Sequence, residues 1–474
     1  MSDRAIRSIA IAGGGIVGLS AALAFRRALP QSTVRVIELP ADPAAVADRM
    51  PTAWPSVHPF HRLIGLEEAQ LVRDGIAVHH LGTRFSSWAG RPDWVHAFGP
   101  HGKPIGAVQF DQVWVQAHGA NRGRPYDHYS PGAVLARAGR FVHPPRNAGS
   151  LLGGLSYGLR LDPEPYRARL RNEAARANIG TIEARSVEHV ERRADGGLQS
   201  LHLGQDERIE ADLFVDCSGP AGLLAAQVED SFEDWPSHAA TGLLIEEDPA
   251  GELVPAARIR ATDEGWIGEW PLRDRIIRCT AGSDLEPAVP LQPGRRTRPW
   301  TRNVLAIGDS AAAIDPLHGL NLTLAHRAIF LALELLPGRD FNPLELAEFN
   351  RRWCLITDQL RDFIALHYLR NGLSGMFWEA AAKADPPAEL ARRLDQYGYR
   401  GRLPFQEDEI LNRDDWTAAL LGLGLVPRNA DPAASGVPRD RAFDAMDTLA
   451  DELAAFAAAA PAYPDYLERI SGAL

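Results

Sequence analysis

Ser8-Ile9-Ala10-Ile11-Ala12-Gly13-Gly14-Gly15-Ile16-Val17-Gly18-Leu19 decides how the chain folds. The first residues form a short apolar run of strand length. The glycines break it, and an alanine- and leucine-rich helix follows over 19–28. A second strand is expected over 34–37, ending on Glu38. Each part has a mechanical role in a dinucleotide-binding βαβ unit. Gly13 permits the tight turn, Gly15 lets the backbone approach a pyrophosphate, and Gly18 lets the helix lie close to the strand. The free N–H groups and positive dipole of the helix start receive the phosphates. Glu38 stands 38 − 18 = 20 residues beyond the last glycine, about where a ribose-binding acid is expected. Strand, triplet, helix, strand and acid together carry far more weight than the triplet alone.

The rest of the composition narrows the class. With 474 residues, 45% hydrophobic and 23% charged, the chain can bury a sizeable core and hold two intimately joined domains. A net charge of −11 and the lack of any basic block argue against nucleic acid or an anionic membrane as partner. No apolar run reaches the roughly 18 residues of a membrane span. The N-terminus enters the first strand directly, so no signal peptide is expected. Cys217, Cys279 and Cys354 are far apart and in no metal-like spacing, which suits reduced thiols in a cytoplasmic protein. Of the 50 Lys plus Arg residues, only Lys103 and Lys383 are lysine.

Along the chain, Pro51 and Pro55 make 50–56 an extended or turning segment. Two short helical pieces are expected over 58–75. From Ile76 the pattern changes to strand-like runs over 77–81, 83–88, 94–98 and 107–110, punctuated by Gly and Pro as in an antiparallel sheet. Asp162-Pro163 starts a helix over 164–178. Strands over 181–183, 187–193 and 198–203 follow, with an Asp195-Gly196-Gly197 turn between the last two. Ala211 to Gly219 then reads as a buried strand that delivers Asp216, Ser218 and Gly219 to the ligand-binding edge of a doubly wound sheet. The sheet resumes at Val304 to Asp309 and leads through Asp315 to Asn321 into a long helix. From Asn342 the chain reads as mostly helical.

That order resembles the FAD-dependent hydroxylase superfamily and, within it, the flavin-dependent tryptophan halogenase family. The similar residues are Asp212-Leu213-Phe214-Val215-Asp216-Cys217-Ser218-Gly219, then Gly265-Trp266-Ile267 with Pro271-Leu272, and Arg361-Asp362-Phe363-Ile364-Ala365-Leu366-His367-Tyr368. The resemblance implies an α/β fold: an FAD-binding Rossmann-type ββα-sandwich of the hydroxylase kind, an interposed antiparallel substrate sheet and a helical C-terminal part. The expected division is 1–75, 155–225 and 300–336 for FAD; 76–154 and 226–299 for substrate; and 337–474 for the helical region. The resemblance further implies a separate flavin reductase, reduced FAD, O₂ and a small tryptophan- or indole-like substrate, and it leaves a homodimer open. In the family, halide becomes hypohalous acid, a strand lysine delivers the halogen and a glutamate near the flavin assists.

Both catalytic positions depart here. In Ala77-Val78-His79-His80-Leu81-Gly82-Thr83-Arg84-Phe85, His80 stands at the lysine's place. In Asp315-Pro316-Leu317-His318-Gly319-Leu320-Asn321, His318 stands at the glutamate's, and Leu320-Asn321 replace the residues that hold halide. Neither Lys103, in a Gly-Lys-Pro turn, nor Lys383, in a late alanine-rich helix, has a site-like context. An imidazole cannot replace a hydrated amine without changing the chemistry, although His80 can be read as a protonated donor or as a base near neutral pH. His80 and His318 are therefore the catalytic candidates. Gly308-Asp309 followed by Pro316, Gly319 and Asn321 also resembles the flavin-contact turn of aromatic hydroxylases, where backbone N–H groups at a helix start face the reduced flavin. Gly13, Gly15, Ile16, Gly18, Glu38, Thr52, Ala53, Val187, Asp309, Pro316, Gly319, Leu320 and Asn321 make up the cofactor-binding set; no metal is expected. Trp54, Trp266, Trp270 and Trp378 are either pocket or core residues. Two products remain open, halogenated or merely oxygenated or oxidised, beside a catalytically silent FAD-binding homologue. A nicotinamide-dependent dehydrogenase is disfavoured, because no second glycine fingerprint offers a site.

Overall fold

Strand β1 (Ser8–Ala12) is buried from Ile9 onward and is paired on both sides in parallel, with β2 (Thr33–Glu38) and with Leu213–Asp216. A short run with apolar residues at both alternations suits a strand covered on both faces. The computed structural model describes residues 5–145, 147, 149–204, 207–229, 231–283, 285–286 and 288–472. They form two units. One comprises Met1–Ala77, Leu161–Pro236 and Pro287–Asp358; the other comprises Val78–Arg160, Ser237–Glu286 and Gln359–Leu474.

In the first unit the sheet runs Trp300–Thr301, Val304–Ala306, Leu213–Asp216, β1, β2, Gly180–Glu183, parallel except for its first pair. Ala10 and Ala12 face a small antiparallel sheet of Val187–Arg192, Leu198–Leu203 and Glu207–Glu210, whose Leu198, Leu201, Leu203 and Ile209 complete a buried cluster with Ile37 and Phe214. Alternation sends Ile9 and Ile11 to the opposite face. Helix α1 (Ile16–Ala28) has no buried charge along its first three turns. Burying each large aliphatic of this kind is worth about 1.5–3 kcal/mol. The helix over Pro163–Arg176 starts on Pro163 as expected, but the Asp162 side chain does not cap it. Asp216 ends its strand with four accepted hydrogen bonds, from Ser218 N–H and Oγ–H and from Leu224 and Ala225 N–H. This fixes the turn that follows the strand at the sheet's carboxyl edge.

In the second unit the strand order is Gly242–Pro249, Arg275–Gly282, Gly265–Pro271, Ala257–Thr262, Gly82–Ser86, Trp94–Ala97. All neighbours are antiparallel except Ala257–Thr262 with Gly82–Ser86, which run parallel. The strand expected over 107–110 is absent. Phe110 instead opens a helix to Gly119, because Phe110, Val113, Trp114 and Ala117 recur at helical spacing and bury one face. The long helix Pro343–Leu369 carries Arg361 to Tyr368, and helices follow it over most of 376–471. Trp266 donates its indole N–H to Tyr368 Oη at 2.9 Å, and Trp378 donates to the Thr262 carbonyl. With Trp270 also buried, these three indoles pack the core of the unit. Among the described residues no helix is long and apolar enough to cross a membrane, and the three cysteines are free thiols.

Candidate functional site

The glycine turn has the form its sequence required. Gly13 has φ +115°, and a Cβ there would lie 2.2 Å from the Cys217 carbonyl oxygen. A Cβ on Gly18 would fall 1.9 Å from the Gly13 carbonyl oxygen, so the absence of a side chain lets α1 close onto the turn. Gly15 is the extended residue before α1, with ψ −173°. Glu38 ends β2 half-buried, and both its oxygens are clasped by Arg171, Nε at 3.0 Å and Nη2 at 2.9 Å. Sequence reading missed that arginine, which sits on the helix over Pro163–Arg176. From the same helix Arg167 donates to the Gly14 carbonyl at 2.9 Å.

A short helix, Val46–Arg49, brings a second piece to the turn. Ala47 N–H donates to Asp309 Oδ2 at 3.2 Å, and Val17 N–H donates to Asp48 Oδ1 at 3.0 Å. Asp309 is buried, and burial raises its carboxyl to about 7 against the Ala47 N–H, with Asp48 and Asp42 adding like charge. Burial also raises Asp48, against the N–H groups of Val17 and Ile16 and the nearby Arg167. Sequence reading gave Asp48 no role.

The flavin-turn candidates are gathered around Thr52 and Trp54. A Cβ on Gly319, at φ +63°, would lie 2.9 Å from Thr52 Cβ. Trp54 donates its backbone N–H to Thr323 Oγ1 at 3.0 Å and its indole N–H to the His318 carbonyl at 3.1 Å. Asp315 caps the Pro316–His318 turn through Leu317 N–H at 2.9 Å, and Asn321 Nδ2 donates to the Ile314 carbonyl at 3.0 Å. Leu320 and Asn321 then open the helix Asn321–Glu334. His318 is buried, its ring edge-on to Trp54 at 6.1 Å. Ala53 is buried beside Thr52, whereas Val187 starts its strand with its side chain against the apolar cluster. A cavity of about 800 Å³ along Trp300 to Asn303 and Asp340 to Cys354 contains none of these candidates. Volume alone does not mark the site.

His80 belongs to the second unit. It is fully buried, edge-on to Phe98 at 5.4 Å, and neither ring nitrogen has a hydrogen-bond partner among the described residues. Burial, with Arg160 and His96 nearby, holds its pKa well below the ordinary histidine value. Of the two readings of His80, burial works against the protonated donor and favours the uncharged ring. Arg160 is the cation that sequence reading missed. It is buried, its guanidinium donates to the Val254 and Ala256 carbonyls, and burial lowers it only to about 10. Lys103 donates to the Gly149 and Ser150 carbonyls at the surface, and exposed Lys383 lies 3.8 Å from Glu379.

A family model described as tryptophan halogenase matches residues 8–284 and 278–439. The chain belongs to the tryptophan halogenase family. Among its relatives are the tryptophan 7-halogenase RebH of Lentzea aerocolonigenes, 26% identical over 92% of each chain, and the tryptophan 7-halogenase KtzQ of Kutzneria sp. (strain 744), 26% identical over 99% of each. The solved structure of BrvH, a flavin-dependent halogenase from Brevundimonas sp. BAL3, superimposes with a TM-score of 0.92 at 28% identity, covering 98% of this chain and 99% of that one. Members of this tryptophan halogenase family are FAD-dependent enzymes that act on aromatic substrates. The residues present fit that cofactor: Gly13 and Gly18 approach so closely that a Cβ on either would clash with backbone, and the turn around Gly319 leads into the buried start of the helix Asn321–Glu334.

Proposed function

We propose that this protein uses reduced FAD and O₂ to oxidise an indole-like aromatic substrate without transferring halogen. The observation that carries this reading is the state of residue 80. At the strand position where the resemblance places the halogen-delivering amine, the side chain is a buried imidazole whose burial disfavours its charged form, and both lysines of the chain are engaged at the surface elsewhere. Gly13, Gly15, Ile16 and Gly18 would hold the pyrophosphate, Glu38 with Arg171 the ribose, and Thr52, Asp309 and the Pro316–Asn321 turn the flavin end. Reduced FAD supplies the electrons for O₂ activation when bound. His80, neutral and unpartnered, can accept or pass a proton at a ring nitrogen, while Arg160 keeps a fixed positive charge nearby that no carboxylate neutralises among the groups acting on it. A separate reductase would deliver the reduced flavin. The free thiols suit a cytoplasmic setting. The test is His80→Ala with reductase, NADH and FAD. Product should vanish while the FAD dissociation constant, read by flavin fluorescence, stays unchanged; full turnover in the variant would remove His80 from the site.

A further inference from the structure

The N–H groups that should greet the pyrophosphate are already taken. At the start of α1, Val17 N–H donates to Asp48 Oδ1 at 3.0 Å, and the neighbouring Ile16 N–H also favours the charged form of this carboxylate. A Cβ on Gly15 would sit 1.9 Å from Asp48 Oδ2. The cradle that glycine leaves open for a phosphate is thus filled by an acid of the same chain. Anions at a helix start are stabilised by the helix dipole and by charge-assisted hydrogen bonds, and a carboxylate satisfies both needs as a phosphate does.

The charges around it are mostly negative. Asp309 holds Ala47 N–H, one residue before Asp48, and feels the charge of both Asp48 and Asp42. Asp42 lies against the Gly219 turn, where a Cβ would fall 2.6 Å from its Oδ2. The Cys217 thiol, beside the Gly13 turn, is raised by burial and then by Asp216 and Asp48. Arg167 is the cation that acts on Asp48; it reaches the turn through the Gly14 carbonyl.

Resting on the reading of this site as the FAD site, we propose that Asp48 is a placeholder for the cofactor's pyrophosphate, displaced when FAD binds, so that it weakens FAD binding and makes it pH-dependent. The sign follows from competition. Ionised Asp48 holds the Val17 N–H through a charge-assisted bond and repels the incoming phosphates; protonated Asp48 holds it more weakly and carries no charge to repel them. The phosphates of FAD remain ionised throughout, so affinity rises as pH falls. Asp309, whose carboxyl titrates at about 7, acts in the same direction. The molecular consequence is a loosely held flavin that can exchange with a separate reductase.

The experiment titrates FAD, and in parallel ADP as a probe of the pyrophosphate half alone, into the full chain at pH 6, 7 and 8. Flavin fluorescence and calorimetry read the binding of wild type, Asp48→Asn and Asp48→Ala. Asp48→Asn keeps the shape and removes the charge, which guards against a folding defect in the alanine variant. Both variants should bind FAD and ADP about ten-fold more tightly than wild type at pH 8, the size expected for removing one competing charge beside a phosphate. Any rise in affinity between pH 8 and pH 6 that persists in both variants belongs to Asp309. Equal or weaker binding by both variants would overturn the role of Asp48 while leaving the cofactor assignment intact. If none of the three proteins binds FAD or ADP at any pH, the cofactor reading falls and the proposal falls with it.

Discussion

Gly13→Ala puts the central turn under direct test. The new Cβ would meet the Cys217 carbonyl oxygen at 2.2 Å and its carbon at 2.7 Å, both backbone atoms. Neither can move freely, because Cys217 N–H donates to the Ala12 carbonyl at 2.8 Å and Gly13 N–H donates to the Ile37 carbonyl at 2.9 Å. The residue must also hold φ +115°, which costs an L-residue roughly 1–2 kcal/mol. Relieving the overlap would strain two hydrogen bonds worth about 1 kcal/mol each. The expected loss is about 2–4 kcal/mol, with FAD binding abolished because the turn can no longer approach a phosphate. Gly196→Ala, in the same unit, is the control. It has φ +85°, and its nearest atom is 3.9 Å away at Arg302 Nε, so it carries the backbone term alone. Urea unfolding of both variants, followed by circular dichroism, separates the terms. If Gly13→Ala loses no more stability than Gly196→Ala, the close approach of strand and turn is not what holds this position as glycine.

Two further predictions address the buried imidazoles. His101 stacks on Tyr126 at 4.6 Å, and burial lowers its pKa to about 3. Its unfolded counterpart protonates near 6.5 while the folded ring does not, so its stabilising contribution is complete above pH 6.5 and is lost as pH falls toward 3. By pH 5 the loss is about 2 kcal/mol. His101→Phe keeps the stack and removes that proton uptake, so its urea midpoint should fall less than that of wild type between pH 7.5 and pH 5; an equal fall would contradict the assignment. His80→Lys restores an amine where the resemblance places one, but beside Arg160 and without a carboxylate burial would hold that amine neutral. The variant should unfold at lower urea, by a few kcal/mol, and gain no halogenated product in mass spectra. Recovery of halogenation would show that residue 80 alone blocks it.

The sequence carried the cofactor turn because its demands are local. Gly13, Gly15 and Gly18 are required by backbone geometry within a few residues, and an apolar run such as Ile9 to Ala12 can only be a covered strand. The parallel pairing of Ala257–Thr262 with Gly82–Ser86 was not legible, since strands so far apart in the chain carry no local mark of direction. The helix at Phe110 was misread because the short run from Ala107 to Phe110 fits either period. Asp48, Arg160 and Arg171 were missed for a common reason. Each is an ordinary charged residue on a helix or strand, and its role comes from what folding sets against it: the Val17 N–H at the start of α1, the Val254 and Ala256 carbonyls, and the Glu38 carboxylate. The complete burial of His80 was equally invisible, since residue type and spacing carry no information about it.

The most direct measurement is the mass of the product. Wild-type protein is incubated in air with a flavin reductase, NADH and FAD, with tryptophan and indole as substrates and with chloride and bromide both present. The account predicts a product that has gained one oxygen or lost two hydrogens, contains no halogen, and is missing when the protein is omitted. A product carrying chlorine or bromine would contradict it, and would mean that the neutral His80 and its neighbour Arg160 perform the task for which the resemblance implies a lysine.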